Sequence, residues 1–114
     1  MQIAVIKELA VGESRVAATP ETVKKFIGLG AKVAVETGAG VAASIDDAAY
    51  QAAGATVASR DEVLKGANII LAIQGPDPDS INGFADGAWL AAGLNPFGER
   101  ARVDAYAAKG LEAL

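Results

Sequence analysis

Short β-rich runs alternate with helix-start signals along the whole chain, and this rhythm points to βα units around a parallel sheet. Strands are predicted at Gln2 to Ile6, Lys32 to Glu36, Ala55 to Ala58, Asn68 to Ile73 and Ala88 to Ala91. The segments between them carry helix punctuation. Thr19 is a good N-cap, Pro20 suits the first helical position, Glu21 favours the dipole and Gly30 stops the helix after Leu29. Val23, Phe26, Ile27 and Leu29 are its expected buried side. A second helix is predicted from Asp46 to Ala53, closed by Gly54, with acidic residues in its first turn. Ser59-Arg60-Asp61-Glu62 reads as a capping box opening a third helix that Gly66 ends, and a last helix is predicted from Glu99 to Lys109. Gly75-Pro76-Asp77-Pro78-Asp79 is too rich in Pro and Gly for helix or interior strand and is expected to be a rigid surface turn. After Gly110, Leu111 to Leu114 begins what reads as a further strand or connection, so the chain is expected to be a truncated domain.

Composition narrows the functions open to such a fold. The 114 residues suffice for one domain, and 52% hydrophobic residues provide enough apolar surface to offset the entropy of ordering it. The formal charge is -4 with no basic cluster, so no nucleic acid partner is expected. Cys and His are both absent, which removes thiolate nucleophiles, imidazole bases and the usual zinc ligands together. No apolar run approaches the roughly 18–20 residues that span a bilayer. Met1 to Glu8 has no leader pattern, and a cytoplasmic chain is expected.

Gly38-Ala39-Gly40-Val41-Ala42-Ala43 fits G-x-G-x-x-A directly after a predicted strand, with Asp61 beyond it, and superficially matches a dinucleotide fingerprint. The fingerprint works by aiming a helix N-terminus at a pyrophosphate, whereas here the helix signals begin later, at Asp46-Asp47, whose carboxylates would repel phosphates. A tight glycine turn leaving the second strand is the preferred reading. Arg15 lies in the long loop after the first strand, and in an open α/β sheet such loops line the ligand crevice. Its fork suits a carboxylate or phosphate, and a salt bridge to Glu13 or Glu36 that pins the loop is an equal alternative. Gln74 and Asn95, leaving the fourth and fifth strands, would face the same crevice as neutral hydrogen-bonding groups or satisfy loop backbone. The acidic pairs Asp46-Asp47 and Asp77 with Asp79 are explained by helix dipole and turn formation. A receiver domain would need acidic residues where the chain has Ala58-Ser59 and an acidic pair where it has Lys7-Glu8. A flavin-binding flavodoxin would need a phosphate loop that Val11-Gly12-Glu13-Ser14-Arg15 does not supply.

The segments Ile3 to Glu8, Glu13 to Pro20 and Val35 to Gly40, followed by Ala43 to Asp47, Ala52 to Ala55 and the Ile73-Gln74-Gly75-Pro76 turn, resemble the N-terminal domain shared by alanine dehydrogenase and the α subunit of NAD(P) transhydrogenase. The likeness runs along all 114 residues, and R-V-A-x-T-P at Arg15 to Pro20 is its most specific segment. The resemblance implies an α/β, flavodoxin-like (Rossmann-like) three-layer fold with a mainly parallel sheet. Carried over position by position, the dehydrogenase pattern has a substrate-binding Arg matching Arg15, a Lys falling on Gln74 and a catalytic His falling near Asn95. Only the Arg is kept. An amino-acid dehydrogenase must move a proton as well as a hydride, and two neutral amides cannot do so. Transhydrogenases pass a hydride directly between nicotinamides, and a Gln in this turn is similar to their pattern. Ala72 is a departure, since related transhydrogenases often carry Lys there.

The resemblance further implies that the NAD fingerprint lies in a Rossmann domain following this one, and that residues 1–114 form one wall of the NAD(H) cleft. Arg15, Gln74 and Asn95 would be its cleft-facing residues, with no catalytic residue in this chain. The cofactors implied are NAD(H) and NADP(H) in a full complex. The implied partners are the rest of the α subunit, an NADP(H)-binding β subunit, a membrane domain and a second copy in a homodimer. That arrangement would place the chain at the inner membrane, peripherally. The alternatives are an alanine dehydrogenase-like domain and a non-catalytic flavodoxin-like binding or dimerisation module.

Overall fold

The computed structural model describes residues 1–9, 12–93 and 100–113. Six strands form one sheet: β1 (Gln2–Val5), β2 (Lys32–Glu36), β3 (Thr56–Ala58), β4 (Ile69–Gln74), β5 (Trp89–Gly93) and β6 (Glu112–Ala113). Their order is β3-β2-β1-β4-β5-β6, and every pairing between neighbours is parallel. Of the two doubly wound arrangements, this is the Rossmann order. The sixth strand is the element anticipated after Gly110.

Alternation along the strands divides the core into two layers. Ile3, Val5, Val33 and Val35 meet Val23 of α1 (Pro20–Gly28) and Tyr50 of α2 (Asp47–Ala52) on one face. Ala4, Ile6, Ile70 and Leu90 meet Val63 and Leu64 of α3 (Arg60–Leu64) and Tyr106 of α4 (Arg100–Ala108) on the other. Each large apolar side chain so buried contributes about 1.5–3 kcal/mol. The three layers follow from handedness, because right-handed crossovers moving leftward from β1 and rightward from β4 put their helices on opposite faces. The α1/α2 face is open beside β5, where Trp89 is 42% exposed.

Local signals account for most helix ends. The Thr19 hydroxyl accepts from the Thr22 amide at 3.3 Å, and the Asp46 carboxylate accepts from the Ala49 amide at 2.9 Å. Three expectations need correction. Leu29 is 86% exposed, because it is the C-cap of α1 and has left the helical stripe that buries Val23. Ser59 stands at the N-cap of α3, yet its hydroxyl makes no capping bond, so the S-x-x-E pattern marks the boundary without closing the box. The Gly75 to Asp79 segment runs into a single 3₁₀ turn, Pro78–Ser80, capped by Asp77. Packing holds that turn: the Tyr106 hydroxyl donates to the Pro76 carbonyl, and the Lys109 ammonium donates to the carbonyls of Pro78 and Ile81.

Candidate functional site

In strand order 3-2-1-4-5-6 the chain leaves β1 and β4 in opposite directions, and the gap between their carboxyl ends is the topological switch point. A pocket of about 190 Å³ lies there, lined among others by Lys7, Glu8, Arg60, Gln74, Pro76 and Ser80. Its floor is an ion pair. Glu36, at the end of β2, is 8% exposed, and its carboxylate accepts the Arg60 Nε at 2.8 Å and the Lys7 amide at 2.6 Å. Arg60 spends its other nitrogens on the Lys7 carbonyl at 2.7 Å and the Ser80 hydroxyl at 3.0 Å. One guanidinium thus ties the start of α3 to the loops after β1, β2 and β4.

Two further carboxylates organise the rim. Glu8 accepts the backbone amides of Ile73 at 3.0 Å and Gln74 at 2.9 Å, fixing the end of β4 where its pairing with β5 slips out of register. Glu13 accepts Arg15 through the Nη2 at 2.8 Å, the Nε at 3.0 Å and the backbone amide at 2.9 Å. The Gln74 Nε2 donates to the same carboxylate at 2.8 Å. The Arg15 side chain, followed by the Gln74 amide and the Arg15 backbone, pulls the Glu13 carboxyl down to about 2, and Glu13 in return raises Arg15.

Arg15 and Gln74 are therefore brought together, through Glu13. Of the two ion-pair partners open to Arg15, Glu13 takes it, and Glu36 belongs to Arg60 instead. Gln74 bonds a side chain with its amide nitrogen, where satisfaction of loop backbone was the alternative. Asn95 lies outside the described residues. Sequence reasoning missed Glu8 and Arg60. The available signal was an acidic residue directly after β1, where a strand-end carboxylate can collect the amides of its neighbour strand.

The glycine motif is a turn closed upon itself. Gly38 has φ +78°, and its amide donates to the Asp47 carboxylate at 2.9 Å while the Thr37 hydroxyl donates at 2.6 Å. These bonds, the hydroxyl first, lower the Asp47 pKa. An internal carboxylate thus holds the amide that a fingerprint would offer to phosphate. Gly40 is followed by one 3₁₀ turn, Val41–Ala43, and α2 begins only at Asp47. Among the described residues no group of three His, Cys, Asp or Glu could hold a metal ion, and no helix is long and apolar enough to cross a membrane.

Residues 4–114 match the model of the alanine dehydrogenase/PNT N-terminal domain. The chain belongs to that family. Within it, the chain is similar to an NAD(P) transhydrogenase subunit alpha of Rhodospirillum rubrum, at 42% identity over 99% of this chain and 31% of that protein. It is also similar to the alanine dehydrogenase of Bacillus subtilis, at 33% identity over 100% of this chain and 30% of that protein. A crystal structure of transhydrogenase from Sinorhizobium meliloti superposes with a TM-score of 0.92 at 36% identity, covering 99% of this chain and 34% of that one. This member of the alanine dehydrogenase/PNT family spans about a third of the length of the curated relatives it matches.

Proposed function

We propose that this chain is the N-terminal domain of a proton-translocating NAD(P) transhydrogenase α subunit, and that its switch-point rim forms one wall of an NAD(H) cleft. The observation that carries this reading is Gln74. It stands at the end of β4 on the rim of the pocket, a neutral amide held by two carboxylates where an amino-acid dehydrogenase needs a group that moves a proton. A hydride passed directly between nicotinamides needs no proton acceptor at this place. The higher identity to the transhydrogenase subunit than to alanine dehydrogenase supports the same branch.

The residues present fit one wall of a nucleotide site. A pocket of about 190 Å³ is smaller than the roughly 300–1,000 Å³ of complete small-molecule sites. With the Gly38 amide already taken by Asp47, the pyrophosphate would be held elsewhere, in a Rossmann domain beyond Leu114. What this chain supplies is a polar rim of Arg15 and Gln74, with Asn95 assigned to the same rim. When bound there, NAD(H) would supply the hydride, for transfer to NADP(H) held by a β subunit. The remaining partners in this reading are the rest of the α subunit, a second copy of it and a membrane domain, which would place the chain peripherally at the inner membrane.

Retention of Arg15 favours a second reading, an alanine dehydrogenase-like domain that binds a substrate carboxylate. The two separate by assay of the whole protein. Hydride transfer from NADH to an NADP analogue without alanine dependence supports the transhydrogenase, and alanine-dependent reduction of NAD supports the alternative. The parent gene read past Leu114 provides a prior test: a strand followed by G-x-G-x-x-G is expected within several dozen residues.

A further inference from the structure

We infer that Glu13 is a positioning residue, which locks the Arg15 guanidinium and the Gln74 amide into one unit that presents a fixed acceptor and fixed donors to a neutral carboxamide. The carboxamide is assigned on the reading of the preceding section; the unit itself stands on the geometry alone. A single oxygen of Glu13, Oε1, receives the Arg15 Nη2 and the Gln74 Nε2, each at 2.8 Å. The other oxygen receives the Arg15 backbone amide at 2.9 Å and the Nε at 3.0 Å. The carboxylate is 4% exposed, while the Arg15 side chain is 69% exposed.

An ionised carboxylate only accepts, so the Gln74 group facing it must be the NH₂. This settles the amide orientation from the network, and the Gln74 carbonyl oxygen is turned away from Glu13. Glu8 fixes the backbone beneath it by accepting the Gln74 amide. Arg15 is gripped side-on through Nε and Nη2, and among the described residues its Nη1 has no partner. The unit therefore offers one acceptor, Gln74 Oε1, and one set of charged donors, Arg15 Nη1. A primary carboxamide carries the complementary pair, an N–H donor and a carbonyl acceptor. A carboxylate would place an oxygen against the Gln74 carbonyl, and Glu13 already neutralises the cation that would compensate for this. Preorganisation of this kind lowers the ordering cost of binding, because neither side chain has to be immobilised by the ligand.

The test has two arms. In this 114-residue chain, the Gln74 side-chain amide protons should give a resolved pair of NMR signals that shifts as Glu13 is protonated at low pH. In Glu13→Gln that titration should be lost, with the thermal transition at pH 7 retained. In the protein carrying the nucleotide domain, the KM ratio between NADH and its nicotinic-acid analogue should favour the carboxamide. Glu13→Gln should narrow that ratio about tenfold, the effect of losing one charge-assisted contact, with Glu13→Asp restoring some of it. An unchanged Gln74 signal in Glu13→Gln overturns the unit. A lost signal with an unchanged KM ratio overturns the ligand assignment while leaving the nucleotide reading intact. Failure of the unsubstituted protein to use NADH overturns the proposed function and the carboxamide with it, whereas the NMR result would still report on the unit.

Discussion

Arg60 reaches Glu36 at 2.8 Å across the carboxyl edge of the sheet, with the two side chains 15% and 11% exposed. Because α3 starts at Arg60 and β2 ends at Glu36, this contact sets where the third helix sits above the switch point. Buried pairs of this kind contribute little net stability against apolar replacements, but removing one partner strands the other's charge. Arg60→Ala and Glu36→Ala should each cost about 3–5 kcal/mol in urea unfolding. The apolar pair Glu36→Leu with Arg60→Met should recover only a fraction of that. Glu36 also accepts the Lys7 amide and Arg60 also donates to the Lys7 carbonyl, and both backbone groups would be orphaned. Full recovery would mean that Lys7 is satisfied by water and that the pair does not hold the loop.

The glycines of the Gly38 turn differ in why they are glycine. A Cβ on Gly40 would lie 2.8 Å from the Ile45 Cβ, the Ile45 carbonyl oxygen and the Tyr50 ring. Gly40→Ala should therefore lose about 1–3 kcal/mol by overpacking. Gly38 has space, but its φ of +78° should cost Gly38→Ala roughly 1–2 kcal/mol. Gly28 inside α1 meets nothing within 4 Å, and Gly28→Ala should stabilise by about 0.5–1 kcal/mol. Thermal unfolding of the three variants checks the ranking, and a Gly40→Ala chain as stable as the parent would contradict the packing of α2 against this turn.

The sheet was legible because its signals are local: β-branched runs of strand length, capped helices and glycine stops lie next to one another in sequence. Thr19, Pro20 and Asp46 do at the helix ends what their chemistry dictates. Leu29 was misjudged because a helical stripe read from sequence does not reveal where the helix stops turning. The site was legible only partially. That Gln74 and Arg15 would share one rim followed from the topology. Their common partner Glu13 lies 61 residues from Gln74, and such a contact exists only once β1 and β4 are neighbours. Arg60 was read as belonging to a helix start, since nothing near it in sequence reveals that Glu36 sits across the sheet edge.

Tyr50 is buried beneath α1 and α2, with its hydroxyl donating to the Ala18 carbonyl at 2.7 Å. Tyr50→Phe preserves the ring packing and leaves that carbonyl unpaired, so a loss of about 1–3 kcal/mol is expected in denaturant unfolding. Burial, and then the negative charge of Asp47, raise the phenol above its ordinary 10.0. A raised phenol stabilises the fold below the unfolded value, and that stability is lost as pH rises through the folded one. Tyr50 should thus stay un-ionised past pH 10 in an ultraviolet phenolate titration and ionise as the chain unfolds. A normal phenolate titration with the fold intact would contradict its burial.

At the acid end the sign reverses. Glu13 titrates at about 2 in the folded chain against an ordinary 4.5, and Asp47 is lowered from its ordinary 3.8. The folded state therefore binds these protons less readily than the unfolded state does. The stability they contribute is complete above their ordinary values and drains away as pH falls from about 4.5 toward 2. The melting temperature should decline through that window, and less steeply in Glu13→Gln, which has no carboxyl to protonate. Asp47→Asn should flatten the remainder, because Thr37 and Gly38 then face an amide that carries no charge at any pH. If Glu13→Gln loses melting temperature in parallel with the parent chain from pH 4.5 to 2, the Arg15 and Gln74 contacts to Glu13 are absent in solution.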